Sequence, residues 1–337
     1  LPMLVSLIFS DGNSQTFILT SVTTFSAGLL LWLPLRKETQ ELKIRDGFLI
    51  VALFWVVLSL TGSIPFMLSE KIQISPSDAI FESFSGLTTT GATVIRGLDS
   101  LPPSLLFYRQ MLQWLGGMGI IVLAVAILPI LGIGGMQLYK AESPGPIKDT
   151  KLTPRIKETA KALWYIYVSL TAICAAAYYL AGMSVFDAVG HSFSTIAIGG
   201  FSTHDESMRF FDNAAIDYIA IIFMFLAGIN FTLHFLAWRR KTVSAYLADS
   251  EFKAYVITLT TVFALCSIVL IYENTYSSLA DSIRYGLFQS VSIGTTTGFT
   301  NASFHLWPTF LPALLILASF VGGCAGSTGG GIKVIRC

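Results

Sequence analysis

Long apolar runs alternate with short polar segments along most of this 337-residue chain. Six uncharged runs are near or beyond the roughly 20 residues with which an α-helix spans a bilayer: 16–35, 47–69, 110–139, 162–186, 218–238 and 254–272. A seventh run, 306–332, is long enough, but its second half is rich in glycine. The opening run LPMLVSLIF is too short to span. The pattern therefore predicts at least six membrane-crossing helices.

The composition makes a water-soluble fold untenable. Hydrophobic residues make up 53% of the chain and charged residues 12%, and the mean hydropathy is +0.69. A chain of this kind has too much apolar surface to expose to water, so we predict an all-α polytopic membrane protein. The four cysteines have no C-x-x-C spacing and lie mostly in apolar runs, which favours small buried residues: Cys174, Cys266, Cys324 and Cys337.

Basic residues are distributed unevenly between the apolar runs. Segments 36–45, 140–161, 239–253 and 333–336 hold 16 of the 21 Lys and Arg residues. Because cytoplasmic loops are enriched in Lys and Arg, we expect these segments to face the cytoplasm. The alternate segments, which include the stretch TTTGAT (88–93), then face outside. Their excess of carboxylates would concentrate cations at that face.

A motif recurs three times between the apolar runs, as ESFSGLTTTGAT (82–93), HSFSTIAIGGFS (191–202) and QSVSIGTTTGFT (289–300). The three copies align on a glycine, with serines eight and six residues before it and a polar residue nine before it. These positions are Gly91, Gly200 and Gly298; Ser83, Ser85, Ser192, Ser194, Ser290 and Ser292; and Glu82, His191 and Gln289. Each copy lies between two apolar runs, so the repeating unit is a helix, a short re-entrant segment and a second helix.

Re-entrant backbone is tolerated at membrane depth only where protein buries it or where it lines a watery path. The roughly ten residues before each glycine fit a short helix that starts with Ser, Pro or Asp at its outer end. Its C-terminal end carries partial negative charge and would point at the glycine, which favours a cation. Glycine then allows carbonyl oxygens to turn inward and replace the hydration shell of an ion. A simple turn between two helices is the alternative, but three copies in register favour an ion filter.

These motifs and GGCAGSTGGGIKVIR resemble the Trk/Ktr/HKT family of potassium transporters, and TrkH-type bacterial subunits most closely, over essentially the whole chain. In that family four pseudo-symmetric helix, pore-loop, helix repeats enclose one pore, as in cation channels, and each repeat gives one filter glycine. The resemblance implies potassium uptake across the bacterial inner membrane, with potassium bound at filter carbonyls. The filter residues it implies are Thr88, Thr89, Thr90, Gly91, Ala197, Ile198, Gly199, Gly200, Thr295, Thr296, Thr297 and Gly298.

The glycine-rich stretch 322–333 interrupts the inner helix of the third repeat, and so much glycine disfavours a continuous helix. By resemblance it is an intramembrane gate loop below the filter. Its residues are Gly322, Gly323, Cys324, Ala325, Gly326, Ser327, Thr328, Gly329, Gly330, Gly331 and Lys333. A flexible kink without a gating role is the alternative. A phosphate-binding loop is disfavoured because Ile332 separates Gly331 from Lys333.

The resemblance also divides the chain. Residues 1–35 form N-terminal transmembrane helices, 36–139 the first pore repeat, 140–241 the second, and 242–337 the third with the gate loop. A fourth repeat would follow about 100 residues after Gly298, so we expect the sequence to be part of a longer protein. The family implies a homodimer and a cytoplasmic nucleotide-binding TrkA-type regulatory partner. It implies no enzyme activity, no cofactor in this subunit and no nucleic-acid partner.

Several polar residues in the apolar runs have competing interpretations. We expect Arg109 to snorkel at the membrane interface rather than to lie at the pore mouth. We expect Ser83 and its repeats, Ser192 and Ser290, to bond pore-helix backbone. The glycines of WLGGMGI (114–120) favour close helix packing. The scattered histidines His191, His204, His234 and His305 do not form a zinc pattern.

Two other classes of function remain open. A secondary transporter of another cation or of a small organic solute would use broken helices, but it predicts inverted halves, whereas these repeats are parallel. An intramembrane enzyme would need a nucleophile and base, or paired membrane carboxylates, and the sequence suggests neither. Coupling to protons or sodium is not decided by any residue.

Overall fold

A computed structural model describes residues 1–36, 44–122 and 156–336. Helices, turns and irregular segments make up these ranges, and none of the described residues lies in a strand, which confirms the predicted all-α class. Over the described residues the helices are α1 Pro2–Phe9, α2 Ser14–Leu35, α3 Ile44–Gly62, α4 Ile64–Leu68, α5 Pro76–Leu87, α6 Pro103–Val122, α7 Ile156–Leu180, α8 Val185–Ala197, α9 Ala214–Ala227, α10 Phe231–Arg240, α11 Ser244–Ala248, α12 Ser250–Tyr272, α13 Leu279–Gly294 and α14 Leu311–Val321.

The predicted spans are only partly continuous helices. Among the described residues, four segments are long and apolar enough to cross a membrane: Ser14–Leu35, Leu49–Leu68, Lys161–Leu180 and Ser250–Tyr272. The second half of run 110–139, several basic residues of segments 36–45 and 140–161, and Cys337 lie outside the described residues.

The prediction of one continuous helix over 218–238 is wrong. Helices α9 and α10 meet at an angle of 92°. The chain breaks because Gly228 ends α9 and the side chain of Asn230 caps α10 by accepting from the Thr232 amide at 2.8 Å. A Cβ atom on Gly228 would lie 2.2 Å from the hydroxyl of Tyr255, so only glycine allows this approach.

Three short helices, α5, α8 and α13, occupy equivalent places in the fold. Each packs between two other helices of its own repeat: α5 between α3 and α6, α8 between α7 and α9, and α13 between α12 and α14. Helix α6 also contacts α8, and α9 also contacts α13. The second helix of each of the first two repeats therefore lies against the short helix of the next, as in a ring.

The predicted starts of the short helices are confirmed by their caps. Each begins after a serine whose hydroxyl accepts a backbone amide of the first turn, and each has an aspartate in that turn. The pairs are Ser75 with the amide of Asp78 at 3.2 Å, Ser184 with that of Asp187 at 3.0 Å, and Ser278 with that of Ala280 at 3.2 Å.

The glycines of WLGGMGI bring α6 close to the ends of two short helices, which confirms the packing interpretation. A Cβ on Gly116 would lie 1.8 Å from the carbonyl oxygen of Leu87, and one on Gly117 would lie 3.0 Å from the Cα of Ala197. The cysteines were predicted to be small buried residues, and this is confirmed for the described ones: Cys174, Cys266 and Cys324 are fully buried and form no disulfide.

Candidate functional site

The residues around each motif glycine share an unusual backbone conformation. The glycine and the residue two before it both have positive φ angles, a conformation that most residues avoid. The angles are +55° and +78° for Thr89 and Gly91, +54° and +78° for Ile198 and Gly200, and +71° and +87° for Thr296 and Gly298. Threonine and isoleucine are costly at positive φ, so the surrounding contacts must hold this shape.

The irregular stretches that contain the motif glycines, residues 88–93, 197–202 and 295–300, are called the glycine segments below. These three segments lie side by side. A Cβ on Gly91 would lie 2.0 Å from the carbonyl oxygen of Gly199, and a Cβ on Gly200 would lie 2.0 Å from that of Thr297. Gly199 and Thr297 hold the same place in their repeats, directly before the motif glycine. The contact from the first segment to the second is thus repeated from the second to the third. On Gly298 a Cβ would meet no atom of the described residues within 4 Å.

Side chains from the short helices form hydrogen bonds to each glycine segment or to the residues that follow it. The hydroxyls of Ser85 and Ser292 donate to carbonyl oxygens of the residue after the glycine, Ala92 at 2.5 Å and Phe299 at 2.7 Å. The polar residue nine before the glycine reaches past the glycine in every repeat. These contacts are Glu82 with the Thr93 hydroxyl at 2.9 Å, His191 with the Ser202 hydroxyl at 2.9 Å, and Gln289 with the Asn301 amide oxygen at 3.1 Å.

The repeated serines follow the predicted pattern only in part. Ser192 bonds the backbone of its own helix, at the carbonyl of Val189. Ser83 instead donates to the carbonyl of Ser59 in α3, at 2.7 Å. The second serine of each motif bonds elsewhere. Ser85 and Ser292 bond the glycine segments that fold back over the helix ends, and Ser194 bonds the side chain of Gln110 on α6.

The interface position predicted for Arg109 is wrong. Arg109 and Glu82 are both fully buried, and the guanidinium Nε donates to the Glu82 carboxylate at 2.8 Å. The guanidinium also donates to the Ser202 carbonyl and the Thr93 hydroxyl, each at 3.1 Å, and lies 4.2 Å from the ring centre of Phe201. A buried guanidinium needs a charged partner, and the carboxylate on the neighbouring short helix provides it.

The glycine-rich stretch is not helical, as predicted: α14 ends at Val321, and irregular backbone follows until a short 3-10 turn at 334–336. It lies directly against the third glycine segment and the end of α8. The Gly330 amide donates to the Thr296 hydroxyl at 2.8 Å, and the Thr328 hydroxyl donates to the Ile196 carbonyl at 2.8 Å. Most of the stretch is buried, whereas Gly330 and Gly331 are exposed.

The same stretch also fills the break between α9 and α10. The Cys324 amide donates to the Gly228 carbonyl at 2.9 Å, and the Phe231 amide donates to the Gly326 carbonyl at 3.0 Å. Backbone groups that the broken helix leaves unpaired are therefore satisfied by the glycine-rich stretch. The Nζ of Lys333 donates within the stretch, to the Gly329 carbonyl.

His204, one of the scattered histidines, links the first and second repeats beside the glycine segments, a role that the sequence did not predict. His204 Nδ1 lies 2.5 Å from Asp99, its Nε2 lies 3.4 Å from Asp187, and its ring stacks on Phe210 at 3.5 Å. Burial alone would lower the pKa of His204, but the two carboxylates outweigh it and the pKa is raised. Within the part of the chain that the structure describes, no group of three His, Cys, Asp or Glu side chains is placed to hold a metal ion.

Parallel repeats of helix, re-entrant helix and helix, with three irregular segments held side by side, define a polytopic membrane protein of the pore-loop type. Residues 13–337 match the family model described as TrkH, cation transport protein. The chain belongs to that family.

Named relatives extend this result. The Trk system potassium uptake protein TrkH of Vibrio parahaemolyticus is 59% identical over 99% of this chain and 70% of its own length, and that of Escherichia coli K12 is 57% identical. The protein TrkG of the same Escherichia coli strain is 41% identical. The crystal structure of the potassium transporter TrkH from Vibrio parahaemolyticus superposes with a TM-score of 0.89 at 55% identity, over 99% of this chain and 69% of that one.

Proposed function

We propose that this protein takes up potassium across the bacterial inner membrane, through a filter lined by backbone carbonyls of its glycine motifs. The observation that carries the proposal is the repeated contact between neighbouring segments, in which equivalent carbonyls of Gly199 and Thr297 lie beside Gly91 and Gly200. Carbonyl oxygens held in this way can replace the water shell of potassium. The names of the relatives, which describe potassium uptake, supply the ion.

The electrostatics of the repeats favour a cation at this place. The C-terminal ends of α5, α8 and α13 lead directly into the glycine segments, and a helix C-terminus carries about half a negative charge. The filter comprises the twelve residues 88–91, 197–200 and 295–298, and potassium is cargo rather than a cofactor. The membrane potential drives uptake, with about 2.3 kcal/mol per charge per 100 mV.

The glycine-rich stretch 322–333 is the gate in this proposal. It bonds directly to Thr296 and to Ile196 at the end of α8, so a cation leaving the filter meets it first. Movement of the stretch would open the path. The glycines allow that movement because their backbone has more accessible conformations than other residues have.

The remaining parts of the proposal rest on the family. The protein is a transporter and not an enzyme, its divisions are 1–35, 36–139, 140–241 and 242–337, and its filter opens to the outside. It works as a homodimer with a cytoplasmic nucleotide-binding TrkA-type partner, for which the basic segments 140–161 and 239–253 are the docking candidates.

Growth of a bacterium without its own potassium uptake systems tests the proposal. The strain expresses the whole protein with its TrkA-type partner, unmodified or as Gly91→Ser. Serine at Gly91 is strained at φ +78° and collides with the Gly199 carbonyl, so potassium preference over sodium should be lost. Gly28→Ser is the matched control, because no atom of the described residues outside its own helix lies within 4 Å of a Cβ there.

Three results are decisive. Rescue at limiting potassium by the unmodified protein and by Gly28→Ser, together with loss of preference in Gly91→Ser at equal membrane expression, supports the proposal. Unchanged preference in a well-expressed Gly91→Ser excludes the glycine segments as the filter. Failure of the well-expressed unmodified protein to rescue growth overturns the potassium assignment.

A further inference from the structure

The second glycine segment differs from the other two in what holds it. In the first and third repeats, threonines at the positions three and one before the glycine bond each other through their hydroxyls. The pairs are Thr88 with Thr90 and Thr295 with Thr297, each at 2.8 Å. The equivalent residues of the second repeat are Ala197 and Gly199, which have no hydroxyl.

A glutamine from the first repeat takes that place. Gln113, on α6, is fully buried, and its Nε2 donates to the Gly199 carbonyl at 2.6 Å. Its Oε1 accepts the Phe201 amide at 3.1 Å. One side chain therefore binds the segment on both sides of Gly200. A carbonyl oxygen has two lone pairs, so the Gly199 carbonyl can bond Gln113 and still face an ion.

Gly199 and Gln113 are sterically complementary. A Cβ on Gly199 would lie 2.3 Å from the Gln113 Cδ, closer than any real contact allows. Gly199 is not among the glycines with positive φ, so its backbone does not itself require glycine. The side chain is absent at Gly199 because Gln113 occupies the space that Thr90 and Thr297 use in the other repeats.

We propose that Gln113 is a positioning residue for ion selectivity, which braces the second filter segment from the neighbouring repeat in place of the threonine pair. This inference rests on the proposed filter. It assigns a selectivity role to a helix residue outside the glycine motifs. It also makes the geometry of the second segment depend on the packing of α6 against α8.

The test measures potassium and sodium flux into liposomes that contain the purified protein. Gln113→Met keeps the volume and removes both hydrogen bonds. We expect it to lower the potassium-to-sodium flux ratio roughly five- to tenfold, the effect of about one lost buried hydrogen bond, and to raise the KM for potassium. Trp114→Phe is the control, since it removes a neighbouring bond from α6 to Thr171 away from the filter.

A reciprocal rescue separates positioning from general stability. Gly199→Thr alone collides with Gln113 and should lower the flux ratio. Gln113→Ala with Gly199→Thr should raise the ratio above that of Gly199→Thr, because threonine then fills the vacated space, although Ala197 gives its hydroxyl no threonine partner. A merely structural role for Gln113 would affect the amount of folded protein and leave the flux ratio unchanged.

The outcomes distinguish this inference from the proposed function. A normal ratio in Gln113→Met, with a lost ratio in Gly91→Ser, overturns the role of Gln113 and leaves the filter in place. A normal ratio in both variants overturns the filter and, with it, this inference. If the double variant has a flux ratio no higher than the lower of its two single variants, Gln113 and a threonine at position 199 do not compete for the same space. If Gln113→Met does not fold, Gln113→Asn, too short to reach both partners, replaces it under the same criteria.

Discussion

Arg109 and Glu82 form an ion pair between two fully buried side chains, with 2.8 Å between the guanidinium and the carboxylate. The pair spans two repeats, because Arg109 also bonds the Ser202 carbonyl while Glu82 accepts the Thr93 hydroxyl and the Val94 amide. The backbone after the first and second motif glycines is thus tied to one charge pair. The pair therefore couples the positions of two glycine segments.

Removal of one member of this pair should destabilise the protein strongly. Glu82→Gln or Arg109→Met leaves the other charge buried without its partner, at a cost of about 3–5 kcal/mol. The double variant should cost less than the sum of the two, because no isolated charge remains. Thermal unfolding in detergent measures all three. Single variants within about 1 kcal/mol of the unmodified protein would contradict a buried pair.

Alanine at the motif glycines should have unequal effects. Gly200→Ala forces a Cβ to within 2.0 Å of the Thr297 carbonyl and retains a positive φ. Gly298→Ala has the same backbone strain, about 1–2 kcal/mol, and no described atom within 4 Å of its Cβ. We expect Gly200→Ala to lower stability and potassium preference more than Gly298→Ala. Equal losses of stability and of potassium preference in the two variants would mean that the close approach of Gly200 to the Thr297 carbonyl contributes to neither.

Weakening the attachment of the glycine-rich stretch to α8 should raise the basal potassium flux. Thr328→Val keeps the shape of the side chain and removes the hydrogen bond to the Ile196 carbonyl, worth about 1 kcal/mol. Potassium flux without the regulatory partner should then rise roughly fivefold. Ser319→Ala on α14 is the control, because its hydroxyl bonds the Ile316 carbonyl of its own helix. Unchanged basal flux in Thr328→Val would argue against stretch 322–333 as the closed gate.

The cluster of His204, Asp99 and Asp187 should stabilise the protein in a limited pH range. The pKa of His204 is raised from its ordinary value of 6.5, so this stabilisation is complete below 6.5 and disappears as the pH rises through the folded value. Burial would raise the pKa of Asp99, but the bond to His204, the amide of Asp205 and the charge of His204 together outweigh burial and lower the pKa from 3.8. The contribution of Asp99 is therefore lost as the pH falls through its folded value.

His204→Gln should reveal this range. At pH 5 to 6 the variant should lose roughly 0.5–1 kcal/mol of its free energy of unfolding. This value is modest because Asp99 is half exposed to screening water. Near pH 9 the difference from the unmodified protein should disappear. Melting temperatures measured across pH test this directly. A loss that does not vary with pH would show that stacking on Phe210, rather than charge, holds the ring.

Local signals explain why the repeating elements were predictable. In each repeat the serine cap of the short helix (α5, α8 or α13) and the glycine that follows it lie within about 20 consecutive residues. The sequence alone therefore identifies the short helices. The break at Gly228 was missed, although Gly228 and Asn230 are a typical helix stop and start. The apolar residues on both sides concealed it.

Long-range partners explain what the sequence did not provide. The sequence around Arg109 predicts an interface position because its partner Glu82 lies 27 residues away, on a different helix. The bond from Gln113 to Gly199 joins residues 86 apart, and that from His204 to Asp99 joins residues 105 apart. Such contacts arise from the arrangement of repeats in space, which no single motif encodes.

The glycine-rich stretch is anchored in three different elements at once. It bonds to the third glycine segment through Thr296, to the end of α8 through Ile196, and to the break after α9 through Gly228. Releasing one anchor leaves the other two in place, so a partial displacement gains no freedom while it loses a bond. The stretch should therefore behave as a cooperative two-state latch, with no stable half-released position.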